Sequence, residues 1–288
     1  MPEPLSFRIG GISIALSAEP SNGAYARMRR FGDFFCEGPA DIQLSAFCGS
    51  PPPPLTGRQV FESNQGWRLF QDDERRMLHV RSADQDPYQL GVFTPDFRTG
   101  EIYVPRLPGQ VDEYIFPLGY PLGEVLMVNL LGSGLGILQH ACGVVDHGEG
   151  MVFTGISSAG KTTTARLWQG LPGVSVLNDD RVILRKVDGN FRVFGTPWHG
   201  QGGMALPLDA PLKRIFILKH APENIVTRLP VIQAVSMLLV RCFAPLWDPQ
   251  AMLFTLQLLE EMCQSVPCYE LGFVPDSQVV DFVRCLPN

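Results

Sequence analysis

Apolar residues in the first third of the chain form short runs separated by glycine, proline and acidic turns. The runs at residues 7–16, 42–47, 67–70, 77–80, 88–93 and 101–104 have the length and composition of strands. Turn sequences at 72–74 and 98–100 separate several of them. This pattern predicts a small, mostly antiparallel β-rich domain, which we place at residues 1–110, with its end inside a proline-rich boundary between residues 105 and 121.

The pattern changes after this boundary, where longer stretches with helical periodicity alternate with short apolar runs. Helices are predicted at residues 122–131, 231–243 and 249–266, and a last one ends at residue 286. Strands are predicted at 137–145, 151–154, 174–177, 182–186, 191–194, 212–218 and 269–273. This alternation indicates a mixed α/β domain over residues 111–288.

Composition excludes several classes of protein. The chain is 45% hydrophobic and 18% charged, as a folded globular protein is. Its net charge of −6 argues against a nucleic-acid partner held through phosphate contacts. The start lacks the features of a signal peptide, and the most apolar stretch, residues 125–138, is too short and interrupted to span a bilayer. Seven cysteines without a C-x-x-C pair fit a reducing compartment, so we expect a cytoplasmic protein with no membrane partner.

Residues 155–162 match the phosphate-binding pattern G-x-x-x-x-G-K-[ST] at every fixed position. A short apolar run precedes them and a helical sequence follows, which is the order that this motif requires. The alternative is an ordinary glycine-rich turn. Lys161 would contact the β- and γ-phosphates of a nucleotide, and the Thr162 hydroxyl would bind Mg²⁺. The predicted nucleotide-binding residues are Gly155, Ser157, Ser158, Ala159, Gly160, Lys161, Thr162 and Thr163.

Two consecutive aspartates, Asp179 and Asp180, follow the predicted strand at 174–177. Ligands of open α/β sheets gather at the carboxyl ends of strands, and phosphoryl transfer needs a carboxylate near the magnesium ion. One aspartate would hold Mg²⁺ and the other would accept a proton from an incoming hydroxyl group. We place Asp179 with Thr162 at the metal, although the spacing leaves both assignments open. The alternative is a turn whose carboxylates accept hydrogen bonds from backbone amides.

These segments, with 139–146 (QHACGVVD) and 177–182 (LNDDRV), resemble the C-terminal catalytic domain of HPr serine kinase/phosphorylase. The loop also resembles the nucleotide loop of ATP-dependent phosphoenolpyruvate carboxykinase, and these families share a nucleotide-binding core. The likeness extends in blocks from residue 140 to residue 182, whereas residues 1–106 match neither family. It implies a P-loop domain of the carboxykinase and HPr-kinase type, preceded by a smaller β-rich domain, with ATP and Mg²⁺ as cofactors.

The resemblance implies a kinase that transfers the γ-phosphate of ATP to a hydroxyl group, with a serine of a small protein or peptide as one class of acceptor. Lys161, Asp179 and Asp180 would be catalytic. His140 would join them near the transferred phosphate, although a lone histidine is more often structural. HPr kinases form oligomers, which implies a homo-oligomer. Two alternatives are a phosphoenolpyruvate carboxykinase-like carboxy-lyase and a nucleotide-binding regulator without turnover.

Three departures from these families limit the prediction. Ile156 stands where HPr kinases commonly have an aspartate, which puts the reverse phosphorolysis reaction in doubt. Gln201 stands where related kinases often have an acidic residue. It belongs to the glycine-rich loop 195–203, which is either a surface loop near the site or a plain connector. The residues with which carboxykinases hold oxaloacetate have no confident counterpart, so decarboxylation is the weaker alternative.

Overall fold

The structure is a computed structural model that describes residues 4–19, 28–64, 66–81, 89–105 and 116–287. It contains two large mixed sheets and few helices, so the mixed α/β class is confirmed. The chain divides into two compact units, Met1–Leu130 and Leu131–Asn288. This division lies within a helix, about twenty residues beyond the boundary predicted at residue 110. Much of the proline-rich boundary, residues 106–115, lies outside the described residues.

Eight described strands form the sheet of the first unit. They are β1 (Leu5–Ile9), β2 (Ile12–Glu19), β3 (Ile42–Cys48), β4 (Arg58–Glu62), β5 (Trp67–Gln71), β6 (Arg76–Val80), β7 (Gln89–Phe93) and β8 (Thr99–Val104). Their order is β1-β2-β3-β8-β7-β6-β5-β4. The pairs β2–β3 and β3–β8 are parallel, and the other pairs of this sheet are antiparallel. A 3-10 helix, Met28–Phe34, follows β2 in sequence.

Two features of this sheet differ from the prediction. The run at 7–16, predicted as one strand, is a hairpin, because Gly10 and Gly11 adopt φ angles of 59° and 75° and reverse the chain between β1 and β2. The strand β4 was not predicted, since it is a partly exposed edge strand of mostly polar sequence. Residue 88 of the predicted strand 88–93 lies outside the described residues.

The second unit contains the predicted phosphate loop. Its strands are β9 (Ile137–Asp146), β10 (Glu149–Thr154), β11 (Val174–Asn178), β12 (Arg181–Val187), β13 (Asn190–Gly195), β14 (Asp209–His220), β15 (Ile225–Arg228) and β16 (Cys268–Phe273). The helices are α1 (Leu122–Gly132), which begins in the first unit, α2 (Lys161–Trp168), α3 (Val231–Leu239), α4 (Pro249–Ser265) and α5 (Gln278–Arg284).

Strand direction brings the predicted site residues to one edge of this sheet. Both β10 and β11 run antiparallel to β9, so they run in the same direction and end at the same edge. The first half of β9 lies at that edge, where His140 pairs with Arg181 at the start of β12. β14 and β16 run parallel to β10 and end there too. Because ligands of open α/β sheets bind at the carboxyl ends of the strands, this edge is the expected location of a ligand site.

The strand β10 is buried on both faces. Val152 belongs to a core cluster with residues of α3 and α4, including Leu238 and Leu259. Phe153, which points to the other face, stacks on Phe216 with 5.1 Å between ring centroids. Because both faces are packed, the strand that leads into the phosphate loop is held rigidly.

The helix predicted at 231–243 ends earlier than its apolar pattern suggests. α3 stops at Leu239, and the next residues leave the helix to pair with the start of β9. His140 N donates to Arg241 O at 2.9 Å, and Phe243 N donates to Leu138 O at 2.9 Å. Pairing with the strand therefore overrides the helical pattern. Within the described residues, no helix is long and apolar enough to cross a membrane.

Candidate functional site

The phosphate loop joins β10 to α2, and packing requires both fixed glycines of its motif. Gly160 precedes α2 with a φ of 104°, and a Cβ atom there would lie 2.6 Å from Phe273 Cζ. A Cβ atom at Gly155 would lie 2.6 Å from Ala159 Cβ. Ser158 also adopts a positive φ of 67°. The close packing and the positive φ angles therefore restrict the backbone of residues 155–160 to a tight loop conformation.

The loop presents backbone N–H donors that have no acceptor among the described residues. Ala159 N donates to Ile156 O at 3.1 Å. Within residues 116–287, no hydrogen bond engages the amides of Ser157, Ser158, Gly160, Lys161, Thr162 and Thr163. The last three lie in the first turn of α2, at the positive end of the helix dipole. This donor set fits an anion such as the phosphates of a nucleotide.

Lys161 is 7% exposed and points back under the loop. Its Nζ donates to Gly155 O at 3.2 Å and to Ile156 O at 3.3 Å. Burial lowers the pKa of Lys161, and the negative charge of Asp180 opposes this effect. The ammonium group is thus partly desolvated, which strengthens its attraction for a phosphate bound by the loop.

Asp179 is fully buried and is held by the glycine-rich loop. Its Oδ1 accepts from Gly200 N at 3.1 Å and Met204 N at 3.4 Å, and its Oδ2 accepts from Gly202 N at 2.7 Å. A Cβ atom at Gly202 would lie 2.6 Å from Asp179 Oδ2 and 3.2 Å from Thr162 Cγ2, so Thr162 lies beside this carboxylate. Asp179 therefore caps backbone amides, and Oδ2 is the oxygen with more acceptor capacity left.

We expect Asp179→Ala to lower the free energy of unfolding by about 2–5 kcal/mol, because three amides of the glycine-rich loop lose their acceptor. Urea unfolding monitored by circular dichroism would measure this change. The control is Glu223→Ala, which removes an exposed carboxylate and should change the stability by less than about 0.5 kcal/mol. Equal stability of the two variants would contradict the structural role of Asp179.

Asp180 has a different environment from its neighbour. β11 ends at Asn178, whose Oδ1 accepts from the amides of Asp180 and Arg181 at 2.8 Å each and forms a turn. The Asp180 side chain is 20% exposed. It contacts the Arg181 guanidinium, and its Oδ1 lies 3.4 Å from His140 Nδ1. Only Asp180 of the pair therefore has a carboxylate that solvent and a substrate can reach.

His140 lies next to Asp180 and is bonded to the last residue of β10, the strand that leads into the phosphate loop. Its carbonyl accepts from Thr154 Oγ1 at 2.7 Å, and its ring meets Phe243 edge to face at 6.1 Å. Burial lowers the pKa of His140, the positive charges of Lys161 and Arg181 lower it further, and Asp180 opposes them. We therefore expect a neutral imidazole beside the Asp180 side chain at neutral pH, an arrangement that can pass a proton.

The lowered pKa of His140 predicts a pH effect on stability. At pH values between the pKa of His140 in the folded protein and its usual value of 6.5, His140 binds a proton in the unfolded chain but not in the folded protein. His140 therefore contributes stability above pH 6.5 that is lost as the pH falls through the folded pKa. We expect His140→Gln to lose less stability than wild type between about pH 7 and pH 5. Urea midpoints over this range would measure it, and parallel curves would contradict the expectation.

Four residues of the site were not singled out from the sequence. Arg181 follows the aspartate pair directly, and its guanidinium lies 5.4 Å from the centroid of the Phe243 ring. Arg241 and Phe243 reach the site only because α3 ends early. His220, at the end of β14, places Nε2 3.0 Å from Ser158 O. The sequence could have indicated Arg181, because it is a basic residue directly after two aspartates at the end of a strand. Arg241, Phe243 and His220 have no such neighbours in the sequence that would indicate a role in the site.

The predicted magnesium ligands, Thr162 and Asp179, supply one hydroxyl and one carboxylate. Mg²⁺ commonly binds through one or two protein oxygens, with phosphate oxygens and waters completing its shell, so the pair fits this ion next to a nucleotide. Within the described residues, no three His, Cys, Asp or Glu side chains are placed to hold a metal ion together. A protein-only metal centre is therefore not found in that part of the chain.

Comparison with known proteins adds no family assignment. No family model matches the chain, and no curated protein matches it. This edge of the sheet carries a loop of amide donors with a buried lysine, one amide-bound aspartate, and an accessible aspartate next to a histidine.

Proposed function

We propose that this protein is an ATP- and Mg²⁺-dependent kinase with a P-loop domain of the HPr-kinase and carboxykinase type. One observation carries the proposal: the phosphate loop with Lys161 lies beside an accessible carboxylate, Asp180, that contacts His140. A phosphate-binding loop provides charge neutralisation, and a nearby carboxylate can accept the proton of an attacking hydroxyl group. Positioning and charge neutralisation are the main requirements of phosphoryl transfer.

The residues of the site divide this work. Bound Mg²⁺-ATP supplies a transferable phosphoryl group whose charge is partly neutralised. The loop amides and Lys161 bind and orient the phosphates, and Thr162 with Asp179 would hold the metal. Asp179 is fixed by three amides, which makes it a rigid metal ligand but an inaccessible base.

Asp180 is the aspartate that we assign as general base. Its Oδ1 lies 3.4 Å from His140 Nδ1, it contacts the Arg181 guanidinium, and it is the carboxylate of the pair that an acceptor hydroxyl could reach to transfer its proton. The proton of the acceptor hydroxyl would pass to Asp180, with His140 next to it to share the charge. The acceptor is a hydroxyl-bearing protein, peptide or small molecule, with a serine of a small protein or peptide as the first choice.

Labelled ATP tests this function directly. The full-length protein, Mg²⁺ and serine-bearing proteins or peptides are incubated with ATP labelled at the γ-phosphate, with and without a chelator. Transfer of label to an acceptor that stops with chelator is the expected result. Tight ATP binding without transfer to any acceptor would instead favour a nucleotide-binding regulator. One observation favours this alternative: backbone amides of the glycine-rich loop already engage both carboxylate oxygens of Asp179.

The carboxy-lyase alternative predicts a different reaction. A carboxykinase-like enzyme would consume oxaloacetate in the presence of ATP and Mg²⁺, and loss of oxaloacetate can be followed by its absorbance. The kinase proposal expects no consumption above that of a heat-denatured sample. ATP-dependent loss of oxaloacetate would replace the proposed acceptor class with a carboxylated substrate.

A further inference from the structure

Two strands of the sheet end next to the phosphate loop and contact it. A Cβ atom at Gly155 would lie 3.4 Å from Leu218 Cβ, near the end of β14. At the end of β16, the ring of Phe273 closes on Gly160. His220, the last residue of β14, pairs with Phe273 across these parallel strands. The loop is therefore supported at both of its fixed glycines by two neighbouring strand ends.

One side chain of these strand ends bonds to the loop itself. His220 Nε2 lies 3.0 Å from Ser158 O, and because a carbonyl oxygen only accepts, this nitrogen carries the proton and donates. The imidazole lies nearly parallel to the Phe273 ring, with 6.3 Å between centroids and 20° between planes. Phe273 is 1% exposed and belongs to the core, so a fixed neighbour orients the imidazole.

The peptide group between Ser158 and Ala159 is held on both sides. Its oxygen accepts from His220, and its N–H donates to Ile156 O at 3.1 Å. The C=O and N–H of a planar trans peptide group point in opposite directions, so these two bonds define its orientation. Ser158 itself has a φ of 67°, which a residue with a Cβ atom adopts only where its surroundings hold it. Without His220, one hydrogen bond alone would hold this peptide group.

We propose that His220 is a positioning residue of the phosphate loop, whose bond to Ser158 O keeps the loop in the conformation that binds phosphate. This inference rests on the proposed function, because it takes the ligand of the loop to be a nucleotide. The flanking amides, Ser158 N and Gly160 N, are among the loop donors without an acceptor in the described residues, and their directions depend on the peptide group between them. A loop that is ordered before binding loses less conformational entropy when phosphate binds.

Two amide substitutions separate the hydrogen bond from the rest of the side chain. The amide nitrogen of glutamine can take the place of Nε2, whereas that of asparagine takes the place of Nδ1 and falls short of Ser158 O. Loop amides contact phosphates that ATP and ADP share. We therefore expect His220→Asn to weaken binding of both nucleotides, with Mg²⁺, by about 3- to 10-fold. His220→Gln should stay within about twofold of wild type, as calorimetric titration of the full-length protein would measure.

The matched control is His147→Asn. His147 lies in the turn between β9 and β10, at the opposite end of β10 from the loop, and its side chain is 71% exposed. Its φ of 49° is one that asparagine tolerates, so this variant should bind both nucleotides as wild type does.

Two further measurements distinguish positioning from a general loss of structure. In the transfer reaction, His220→Asn should raise the KM for ATP and leave kcat unchanged, because the interaction contributes to binding alone. In the nucleotide-free protein, exchange of the Ala159 amide with water, followed by NMR, should be faster in His220→Asn than in wild type and unchanged in His220→Gln. Urea unfolding should give equal midpoints for the two variants.

Other outcomes separate this inference from the proposed function. Wild-type affinity in His220→Asn, or an equal loss in both His220 variants, would overturn the role of the hydrogen bond and leave the kinase proposal standing. A loss for ATP that ADP does not share would place the effect at the terminal phosphate, which also overturns the inference. A wild-type protein that binds neither nucleotide would overturn the proposed function, and exchange of the Ala159 amide would still show whether His220 holds the loop.

Discussion

Asp180→Asn is expected to lower the rate of phosphoryl transfer by about 10²- to 10⁴-fold while ATP binding stays within about twofold of wild type. The substitution keeps the size of the side chain and removes its capacity to take a proton from the acceptor hydroxyl. Asp180 is the accessible member of the aspartate pair and lies next to His140, whereas Asp179 is buried and accepts hydrogen bonds from backbone amides at both carboxylate oxygens. Single-turnover transfer from labelled ATP measures the rate, and calorimetry measures the binding.

The matched control for this variant is Asp209→Asn. Asp209 also pairs with an arginine, Arg192, but it lies at the start of β14, away from the carboxyl ends of the parallel strands. Its variant should transfer phosphate at the wild-type rate. Thermal unfolding of both variants checks that any loss of rate is not a loss of fold. If Asp180→Asn transferred phosphate normally and Asp179→Asn did not, the two aspartates would have to exchange roles.

Lys161→Met is expected to weaken ATP binding by about 100-fold and to bring transfer below detection. The lysine supplies a buried ammonium group that contacts the carbonyls of the phosphate loop, and its charge is partly desolvated. We expect the stability of the protein to hold or to rise, because a buried cation is replaced by an apolar side chain of similar length. Calorimetry with ATP and urea unfolding of the same samples measure the two effects.

Lys186→Met is the control for the lysine variant. Lys186 is exposed, pairs with Glu261 and lies on β12 away from the loop, so its replacement should leave ATP affinity unchanged. Undiminished transfer in Lys161→Met would remove the assignment of the phosphate site. A large loss of stability in that variant would mean that the ammonium group holds the loop carbonyls in place and that its role is structural as well.

The elements that the sequence predicted well are those set by contacts close in the chain. The hairpin β12–β13 turns where Asp188 and Gly189 adopt φ angles of 49° and 79°, as an Asp-Gly sequence favours. Helix α4 begins at Pro249 because Asp248 accepts hydrogen bonds from the amides of Gln250 and Ala251. Turn and cap chemistry involves residues within a few positions of each other, so a local pattern is enough to find it.

The elements that were predicted wrongly depend on contacts between residues that are distant in the sequence. The end of α3 was predicted four residues too late, because its apolar pattern continues while the chain in fact pairs with β9, about 100 residues earlier in the sequence. The short strand β15, which was not predicted, is largely exposed and exists through its pairing with β16. In both cases a partner distant in the sequence decides the local conformation.

The sequence by itself determined the glycine-containing turn between a strand and a helix at residues 155–160, and it placed the aspartate pair after another strand of the same sheet. It could not separate the two aspartates or find Arg241. Asp179 is distinguished from Asp180 by amides 21 to 25 residues further on, and Arg241 joins the site through a bond to His140. Only the tertiary structure decides such features, because the pairing of strands distant in sequence sets which groups meet, which are buried and which remain accessible.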